Sequence, residues 1–551
     1  MDTSRVTALV SDGTIRAPEW PALAAIAALF GVAWMAVAPW SSAPLIDDWV
    51  YAWSVEHLLA TGSFRVLAVS AVYPITQTLW AAPFAVVLGF SFLTLRVSTT
   101  VLAVLGCWAV YLTLRELGCR RSTSLLGGVA LALHPVYFAL TFSFMTEVPF
   151  VATSSMGLYC YVRAVRRGEV GALWAGGACA IAAFAARPIG ILLPLTVLPA
   201  LAWRSGWRQT ARQSAVPLAL PVIVMIALQL ELPRMLGPLD WAAVRAGYLQ
   251  WWFTVPMTSY AGWTLEVLVQ ASFPFATLLL AFAVRHRREW LAVVATAGLL
   301  GALAWLLLGD VPMPLSHDQT WSLREFTARI MIDGQLPTPA WTRAVAPLLR
   351  ALGALSLGAL VVIAIRGWAR TPGWGRIESV VVTYGALHLA AIHVLWLYND
   401  RYYVALAPAV AVAGARALDA SRPARWVAAA LMAGLAAIDL TGTRDMLAFN
   451  RACDEAVRDL QSAGVRASDI DGGYPLNGWR LYAHPENLPP GADRRYDVPF
   501  VTSKATLRYA LTNTPGPDDE VIRAIPLEEV TWQATRTLFV VRRPPSPPDA
   551  R

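Results

Sequence analysis

The sequence predicts an α-helical, polytopic membrane protein with about 13 transmembrane helices and a small C-terminal α/β domain. Of its 551 residues, 57% are hydrophobic and only 15% are charged, whereas soluble domains are roughly half apolar and a quarter charged. The apolar residues form blocks of roughly 18–22, the length that crosses the hydrocarbon core of a bilayer. The 24 tryptophans fit this interpretation, because Trp favours the membrane–water interface.

The apolar blocks define the expected helices. We expect them near residues 20–40, 97–114, 122–140, 144–162, 170–186, 188–203, 214–231, 263–284, 290–308, 343–365, 378–397, 402–419 and 424–441. The segment 76–90 is apolar but short, so we interpret it as an interfacial or half-membrane helix.

Arginine placement predicts the orientation. Short loops rich in arginine lie at residues 115–121, 163–167, 204–212, 285–288, 366–376 and 416–425. In this arrangement all of them share the side of the N-terminus, which the positive-inside rule makes cytoplasmic. The net charge of +8 therefore reflects membrane topology and not nucleic-acid binding, and we expect a multi-pass protein of the plasma (inner) membrane.

The expected domains follow from this topology. Residues 1–19 form a cytoplasmic N-terminus, and 20–442 form the membrane domain with outer loops 41–96, 232–262 and 309–342. Residues 443–551 are polar, with helical periodicity near 451–463 and a β-like run at 537–542. We interpret them as an extracytoplasmic α/β domain with a disordered, proline-rich tail from 544 to 548.

An acidic pair, Asp47 and Asp48, follows the first predicted helix. Asp48 is suited to cap a helix that starts at Trp49 and carries His57 on a polar stripe. A helix cap alone is one interpretation of the pair. Adjacent like charges beside a bilayer are costly unless they are paired, metal-bound or partly protonated, which favours a functional site.

Further charged residues are expected on the same side. Glu147 starts a predicted helix, where it is either functional or a carboxylate stabilised by the helix dipole. Arg401 precedes Tyr402 in a short outer turn, which suits either a phosphate ligand or interfacial anchoring. Arg187 and Arg96 are the other arginines at outer helix ends.

The long outer loop 309–342 has the length of a substrate lid. Its polar residues include His317, Asp318, Arg324 and Glu325.

Carboxylates and arginines bordered by aromatic residues suit a ligand with a phosphate, a sugar and a lipid tail. A carboxylate can act as general base on an incoming hydroxyl or amine. The arginines, with or without a divalent metal ion, would neutralise the departing phosphate.

The order of these motifs resembles that of the GT-C glycosyltransferases over residues 20 to about 440. The chain is most similar to the family-39 type, which includes protein O-mannosyltransferases and lipid A aminoarabinose transferases. The resemblance implies a GT-C fold and inverting transfer of a sugar from a polyprenyl-phosphate or dolichyl-phosphate donor, outside the cytoplasm. The partners would be that donor, membrane lipids and a lipid, polysaccharide or protein acceptor.

The resemblance also implies roles for individual residues. The expected catalytic residues are Asp47, Asp48 and Glu147, with Asp47 as the base. The expected donor-phosphate ligands are Arg187, Arg401 and Arg96, and the expected substrate contacts are Tyr402, His57 and Trp49. Glu147 stands where the family often has Asp, and the C-terminal domain matches no known acceptor-binding module. No strict DxD motif is present nearby, so a divalent metal at Asp47 and Glu147 stays open.

A transporter or flippase of lipid-linked saccharides is the alternative function. Transporters place polar residues near the bilayer midplane, between inverted repeats. Here the polar residues gather at one interface and the sequence has no visible repeat, which favours an enzyme.

Overall fold

The computed structural model describes residues 18–240, 254–283, 287–308, 340–370, 377–492, 507–527 and 536–544, with single positions at 247, 494, 498 and 531. The first 17 residues, loop residues 309–339 and the tail after 544 lie outside the described residues. The expected lid residues His317, Asp318, Arg324 and Glu325 are among them.

Helices dominate the first half of the chain. They are α1 (Trp20–Val37), α2 (Asp48–Thr61), α3 (Ile75–Leu88), α4 (Phe92–Glu116), α5 (Arg121–Ala132), α6 (Pro135–Thr141), α7 (Glu147–Arg167), α8 (Val170–Ala186), a 3-10 helix (Pro188–Val197), α9 (Leu198–Ser205) and α10 (Trp207–Leu236).

Helices also dominate the second half up to Ser462. They are α11 (Met257–Ser272), a 3-10 turn (Phe273–Phe275), α12 (Ala276–Ala283), α13 (Arg287–Leu308), α14 (Ala340–Arg370), α15 (Glu378–Val394), α16 (Asp400–Tyr403), a 3-10 turn (Val404–Leu406), α17 (Ala407–Ala417) and α18 (Arg422–Ser462).

The coarse fold class is confirmed, but the expected number of spans is not. Among the described residues, 6 helices are long and apolar enough to cross a membrane, or 7 if α5 and α6 form one bent span. The chain is thus a multi-pass membrane protein. Proline explains part of the difference, because it lacks an N–H and interrupts helices. Helices α5 and α6 meet at 68° before Pro135, and the segment expected as one helix at 188–203 starts with a 3-10 helix at Pro188.

Three of the arginine-rich loops meet at one end of the helix bundle. Arg115 pairs with Glu19 at 3.2 Å, next to the first helix. Arg416 pairs with Glu378 at 2.5 Å and donates to the carbonyl oxygen of Leu117 at 2.6 Å. Arg166 donates to the carbonyl oxygen of Glu116. We call this the arginine end of the bundle.

The last helix joins the membrane domain to the C-terminal domain. Helix α18 is 41 residues long, so it passes the boundary expected near 443 without a break. It includes most of the helical segment predicted at 451–463. The domain continues with a 3-10 turn (Ala467–Asp469), β1 (Ile470–Asp471), α19 (Tyr474–Asn477), a π-helix (Gly478–Ala483), a 3-10 turn (Pro485–Asn487), β2 (Tyr509–Thr512), β3 (Glu520–Pro526) and β4 (Thr537–Arg542).

The strands form one sheet in the order β1-β2-β4-β3. Strand β1 is parallel to β2, and the other pairs are antiparallel. Strand β4 has the bounds predicted from the sequence. The π-helix packs on α2. Helix α1 starts at the arginine end, next to Glu19, and α2 follows the other end of α1. The C-terminal domain therefore covers the end of the bundle opposite the arginine end.

Candidate active site

Four distant chain segments bring two carboxylates and two guanidinium groups together. Arg401 donates from Nη1 to Oδ2 of Asp47 at 2.9 Å, and Arg187 donates from Nη2 to Oε1 of Glu147 at 2.6 Å. The Nε atom of Arg401 lies 3.9 Å from Oε1 of Glu147. Arg401 therefore lies between the two carboxylates and links both pairs.

Local sequence explains how the arginines are held. Pro188 cannot continue the α-helical hydrogen bonding, so α8 ends before Arg187 and this residue adopts an extended backbone. The Nε atom of Arg187 then donates to the hydroxyl of Thr146 at 2.9 Å. Asn399 caps α16 by accepting a hydrogen bond from the backbone N–H of Arg401 at 3.1 Å.

The group retains polar atoms for a ligand. The side chain of Glu147 is 1% exposed, whereas those of Asp47 and Arg401 are 26% and 19% exposed. In the described part of the chain, Oε2 of Glu147 and Nε of Arg401 have no hydrogen-bond partner. Buried polar atoms are rarely left unsatisfied unless water, an ion or a ligand completes them.

Two tyrosines complete the surroundings. The guanidinium of Arg187 lies 4.7 Å from the ring centre of Tyr402, in a cation–π contact. Tyr474, from the C-terminal domain, donates its hydroxyl to Oδ1 of Asp47 at 2.8 Å. Sequence reasoning identified Tyr402 but missed Tyr474.

Asp48 does not cap a helix as predicted. Helix α2 begins at Asp48 itself, and the Oδ1 atom accepts from the backbone N–H of Leu45 at 2.7 Å, upstream of the helix. The side chain is fully buried, and this burial raises the pKa of Asp48 to about 7, although the charge of Arg96 acts in the opposite direction.

Arg96 has different partners from Arg187 and Arg401. Its guanidinium donates to the carbonyl oxygens of Pro39 at 3.2 Å, Ala43 at 2.5 Å and Ser41. These contacts bind Arg96 to the loop that leads to the acidic pair.

The remaining predicted residues lie on α2. Trp49 is buried and contacts the ring of Tyr474, with 6.0 Å between the ring centres. His57 stacks on Trp53 at 4.8 Å and lies 3.3 Å from the hydroxyl of Ser63. These contacts place Trp49 beside the candidate site and give His57 neighbours outside it.

The charged group does not fit a divalent metal site. Each carboxylate already pairs with a guanidinium, and Arg401 lies where an ion bridging Asp47 and Glu147 would bind. Within the described ranges, no group of three or more His, Cys, Asp and Glu side chains is arranged to hold a metal. We therefore derive no step through a metal ion.

Comparison with solved structures finds proteins of low sequence identity. The oligosaccharyltransferase AglB from Archaeoglobus fulgidus, in complex with an inhibitory peptide and a dolichol-phosphate, is 13% identical with a TM-score of 0.41. The comparison covers 81% of this chain and 58% of AglB, so the chain spans little more than half the length of that protein. ArnT from Cupriavidus metallidurans, bound to undecaprenyl phosphate, is 14% identical with a TM-score of 0.41, over 94% of this chain and 98% of ArnT.

Sequence comparison gives a family for part of the chain. No curated protein sequence matches it. Residues 74–232 match the family described as dolichyl-phosphate-mannose-protein mannosyltransferase, and this segment contains Arg96, Glu147 and Arg187. Over residues 74–232, the match confirms the predicted resemblance to membrane glycosyltransferases of the protein O-mannosyltransferase type.

Proposed function

We propose that this protein transfers a sugar, with inversion, from a polyprenyl-phosphate-linked donor to an acceptor. The main support is the position of Arg401, which contacts Asp47 at 2.9 Å and approaches Glu147 at 3.9 Å. A base and phosphate-binding groups thus lie side by side, as such a reaction requires. The family match over residues 74–232 supports the same function.

The arginines provide the binding site for the donor phosphate. A guanidinium binds phosphate oxygens through two parallel hydrogen bonds and stays charged at any physiological pH. Tyr402 makes a cation–π contact with the Arg187 guanidinium, and Glu147 accepts a hydrogen bond from it. Glu147 therefore orients the donor-binding arginine in this proposal.

Asp47 acts as the general base. A guanidinium has five N–H groups, so the donor phosphate binds those of Arg401 that remain free while Nη1 stays on Oδ2 of Asp47. The carboxylate then takes the proton from the acceptor hydroxyl or amine, whose oxygen or nitrogen attacks the anomeric carbon of the sugar. The bond between that carbon and the phosphate oxygen breaks, and polyprenyl phosphate leaves with its charge neutralised by Arg187 and Arg401. A single displacement of this kind inverts the anomeric centre.

Asp48, Trp49 and Arg96 support the loop that carries Asp47. Asp48 and Arg96 bind backbone groups between residues 39 and 45, and Trp49 packs against the C-terminal domain. His57 stays a predicted substrate contact on the same helix.

The proposed orientation places the site outside the cytoplasm of the plasma membrane. Arginine-rich loops favour the cytoplasmic side, and the candidate site lies at the other end of the bundle. A reporter fused after Arg551 is expected to be extracytoplasmic, and a cytoplasmic signal would contradict this orientation.

The test is sugar transfer by the purified protein in nanodiscs with labelled polyprenyl-phosphate sugars. Lipid, polysaccharide and peptide acceptors are supplied in separate reactions. Asp47→Asn is expected to lower the rate by about 10²–10⁴-fold, because the amide cannot accept the proton. Unchanged turnover in this variant would exclude Asp47 as the base, and donor movement across liposomes without chemistry would favour a flippase.

Asp48→Asn is the matched control. It makes the same chemical change at the adjacent position. The buried carboxyl of Asp48 has a pKa of about 7, so it is already largely protonated below neutral pH, and its oxygen can still accept from Leu45. We expect turnover at pH 6 to stay within about threefold of wild type.

A further inference from the structure

The two oxygens of Asp47 are held by different domains. Tyr474, from the C-terminal domain, donates to Oδ1 at 2.8 Å, and Arg401, from the membrane domain, donates to Oδ2 at 2.9 Å. One hydrogen bond on each oxygen fixes the plane of the carboxylate. A carboxylate oxygen has two lone pairs, so Oδ1 keeps one for a second donor.

The turn that carries Tyr474 is itself closed by hydrogen bonds. Asp471, at the end of β1, accepts at Oδ1 from the backbone N–H of Gly473 at 3.1 Å and from the side-chain amide of Asn477 at 2.7 Å. Asn477 in turn accepts from the N–H of Gly472 at 2.9 Å. Gly473 has φ +85°, a conformation that glycine adopts without strain. The turn after β1 thus fixes the direction of the Tyr474 side chain.

Docking of this domain involves the same helix turn that follows Asp47. The buried ring of Trp49 lies between the rings of Tyr474 and Tyr482, with centre distances of 6.0 Å and 5.7 Å. At Gly478, an added Cβ would lie 2.2 Å from Cε2 of Trp49, so only glycine allows this approach. Movement of the domain therefore acts directly on the turn that holds the base.

We propose that the C-terminal domain completes the active site through Tyr474, a positioning residue that orients the Asp47 carboxylate toward the acceptor. This inference rests on the proposed function. Burial, together with the negative charge of Asp47, raises the pKa of Tyr474 well above its usual value, so its hydroxyl remains a donor across the working pH range. The second lone pair of Oδ1 then receives the acceptor hydroxyl.

The test compares Tyr474→Phe with Tyr482→Phe. Both variants remove one phenol hydroxyl beside Trp49; the hydroxyl of Tyr474 donates to Asp47, and Tyr482 contacts Trp49 through its ring. Tyr474→Phe is expected to lower kcat by about 10–100-fold with little change in the KM for the donor, because the carboxylate is less well oriented. Tyr482→Phe should keep the wild-type kcat and KM.

The outcomes separate this inference from the proposed function. A wild-type protein that uses no polyprenyl-phosphate sugar would contradict the function. The Tyr474–Asp47 contact is then tested by the melting temperatures of Tyr474→Phe, Asp47→Asn and the double variant. The change in the double variant should differ from the sum of the two single changes. An active wild type whose Tyr474→Phe variant keeps the wild-type kcat would overturn the inference, as would additive changes in melting temperature.

Discussion

The two ends of the helix bundle use arginine and carboxylate side chains in different ways. At the arginine end, the guanidinium groups are occupied by the protein itself. Arg416, for example, pairs with Glu378 and also donates to the carbonyl oxygen of Leu117. Leu117 follows the last residue of α4, where carbonyl groups have no partner within the helix. Arg115 likewise pairs with Glu19. Such contacts tie the loops together and leave these groups little capacity for a ligand.

At the opposite end, two ion pairs are joined through Arg401. Glu147 contacts both Arg187 and Arg401 through one oxygen, while its second oxygen has no partner among the described residues. Asp47 is held partly by a residue from another domain, Tyr474. The comparison teaches that charge content alone does not mark a site. Two ion pairs joined by one arginine, a buried carboxylate oxygen with no described partner and a contact from a second domain together distinguish the candidate site from the Arg416–Glu378 pair.

Among the variants that compare the two ends, Arg401→Met is expected to have the largest effect. Methionine is also long and unbranched, but it removes the charge between Asp47 and Glu147. The leaving phosphate therefore loses its main counter-charge. We expect turnover to fall by about 10²–10³-fold, measured as transfer from a labelled polyprenyl-phosphate sugar.

Arg416→Met is the control from the arginine end. It removes the ion pair of Arg416 with Glu378 and its hydrogen bond to the carbonyl oxygen of Leu117. The variant should therefore have a lower melting temperature, while the turnover of the folded protein is retained. Equal losses of turnover in Arg401→Met and Arg416→Met would break the distinction between the two ends.

A smaller effect is expected from Glu147→Gln. The glutamine amide keeps an oxygen that can accept from Arg187. It removes the negative charge that balances Arg187 and Arg401, at a side chain that is only 1% exposed. We expect turnover to fall by about 10-fold and the melting temperature to drop, because a buried charge loses its partner. Undecaprenyl phosphate should then raise the melting temperature of the variant more than that of the wild type, since the added anion replaces the lost one.

Glu378→Gln tests whether this rescue is specific. Glu378 pairs with Arg416 at 2.5 Å and its side chain is 10% exposed, so it is the corresponding buried carboxylate of the arginine end. Its loss of stability should not be reversed by undecaprenyl phosphate. Rescue of both variants would mean that the lipid stabilises the bundle without using the candidate site.

Much of the candidate site could be found from sequence because charges are conspicuous beside apolar helices. Asp47, Glu147, Arg187 and Arg401 lie at helix ends or in short turns, and topology alone assigned all four to one side. The structure brings these residues into contact. Their catalytic roles stay predictions.

Other features depend on contacts that sequence periodicity does not report. Tyr474 lies 427 residues after Asp47 in a polar segment, where a tyrosine is unremarkable. The break between α5 and α6 depends on Pro135 and changes the number of spans. Helix α18 continues past the change from apolar to polar sequence, because backbone hydrogen bonding does not depend on what surrounds the helix.

The smallest expected effect concerns the contact that docks the C-terminal domain at the candidate end. His484 lies 3.3 Å from Glu56 on α2 and 3.1 Å from Glu486. Hydrogen bonding to Glu56 is the main cause that raises the pKa of His484 above its usual value, with burial acting in the opposite direction.

A raised pKa means that the folded protein binds the proton more tightly than the unfolded chain, so the contact stabilises the fold most below about pH 6.5. This contribution is lost as the pH rises through the raised pKa of His484. The melting temperature of His484→Gln should therefore fall below that of wild type at pH 6, with the difference shrinking toward pH 8 and corresponding to less than about 1 kcal/mol. A constant difference between wild type and His484→Gln at all pH values would show that His484 contributes packing alone, and that docking at the candidate end does not depend on protonation.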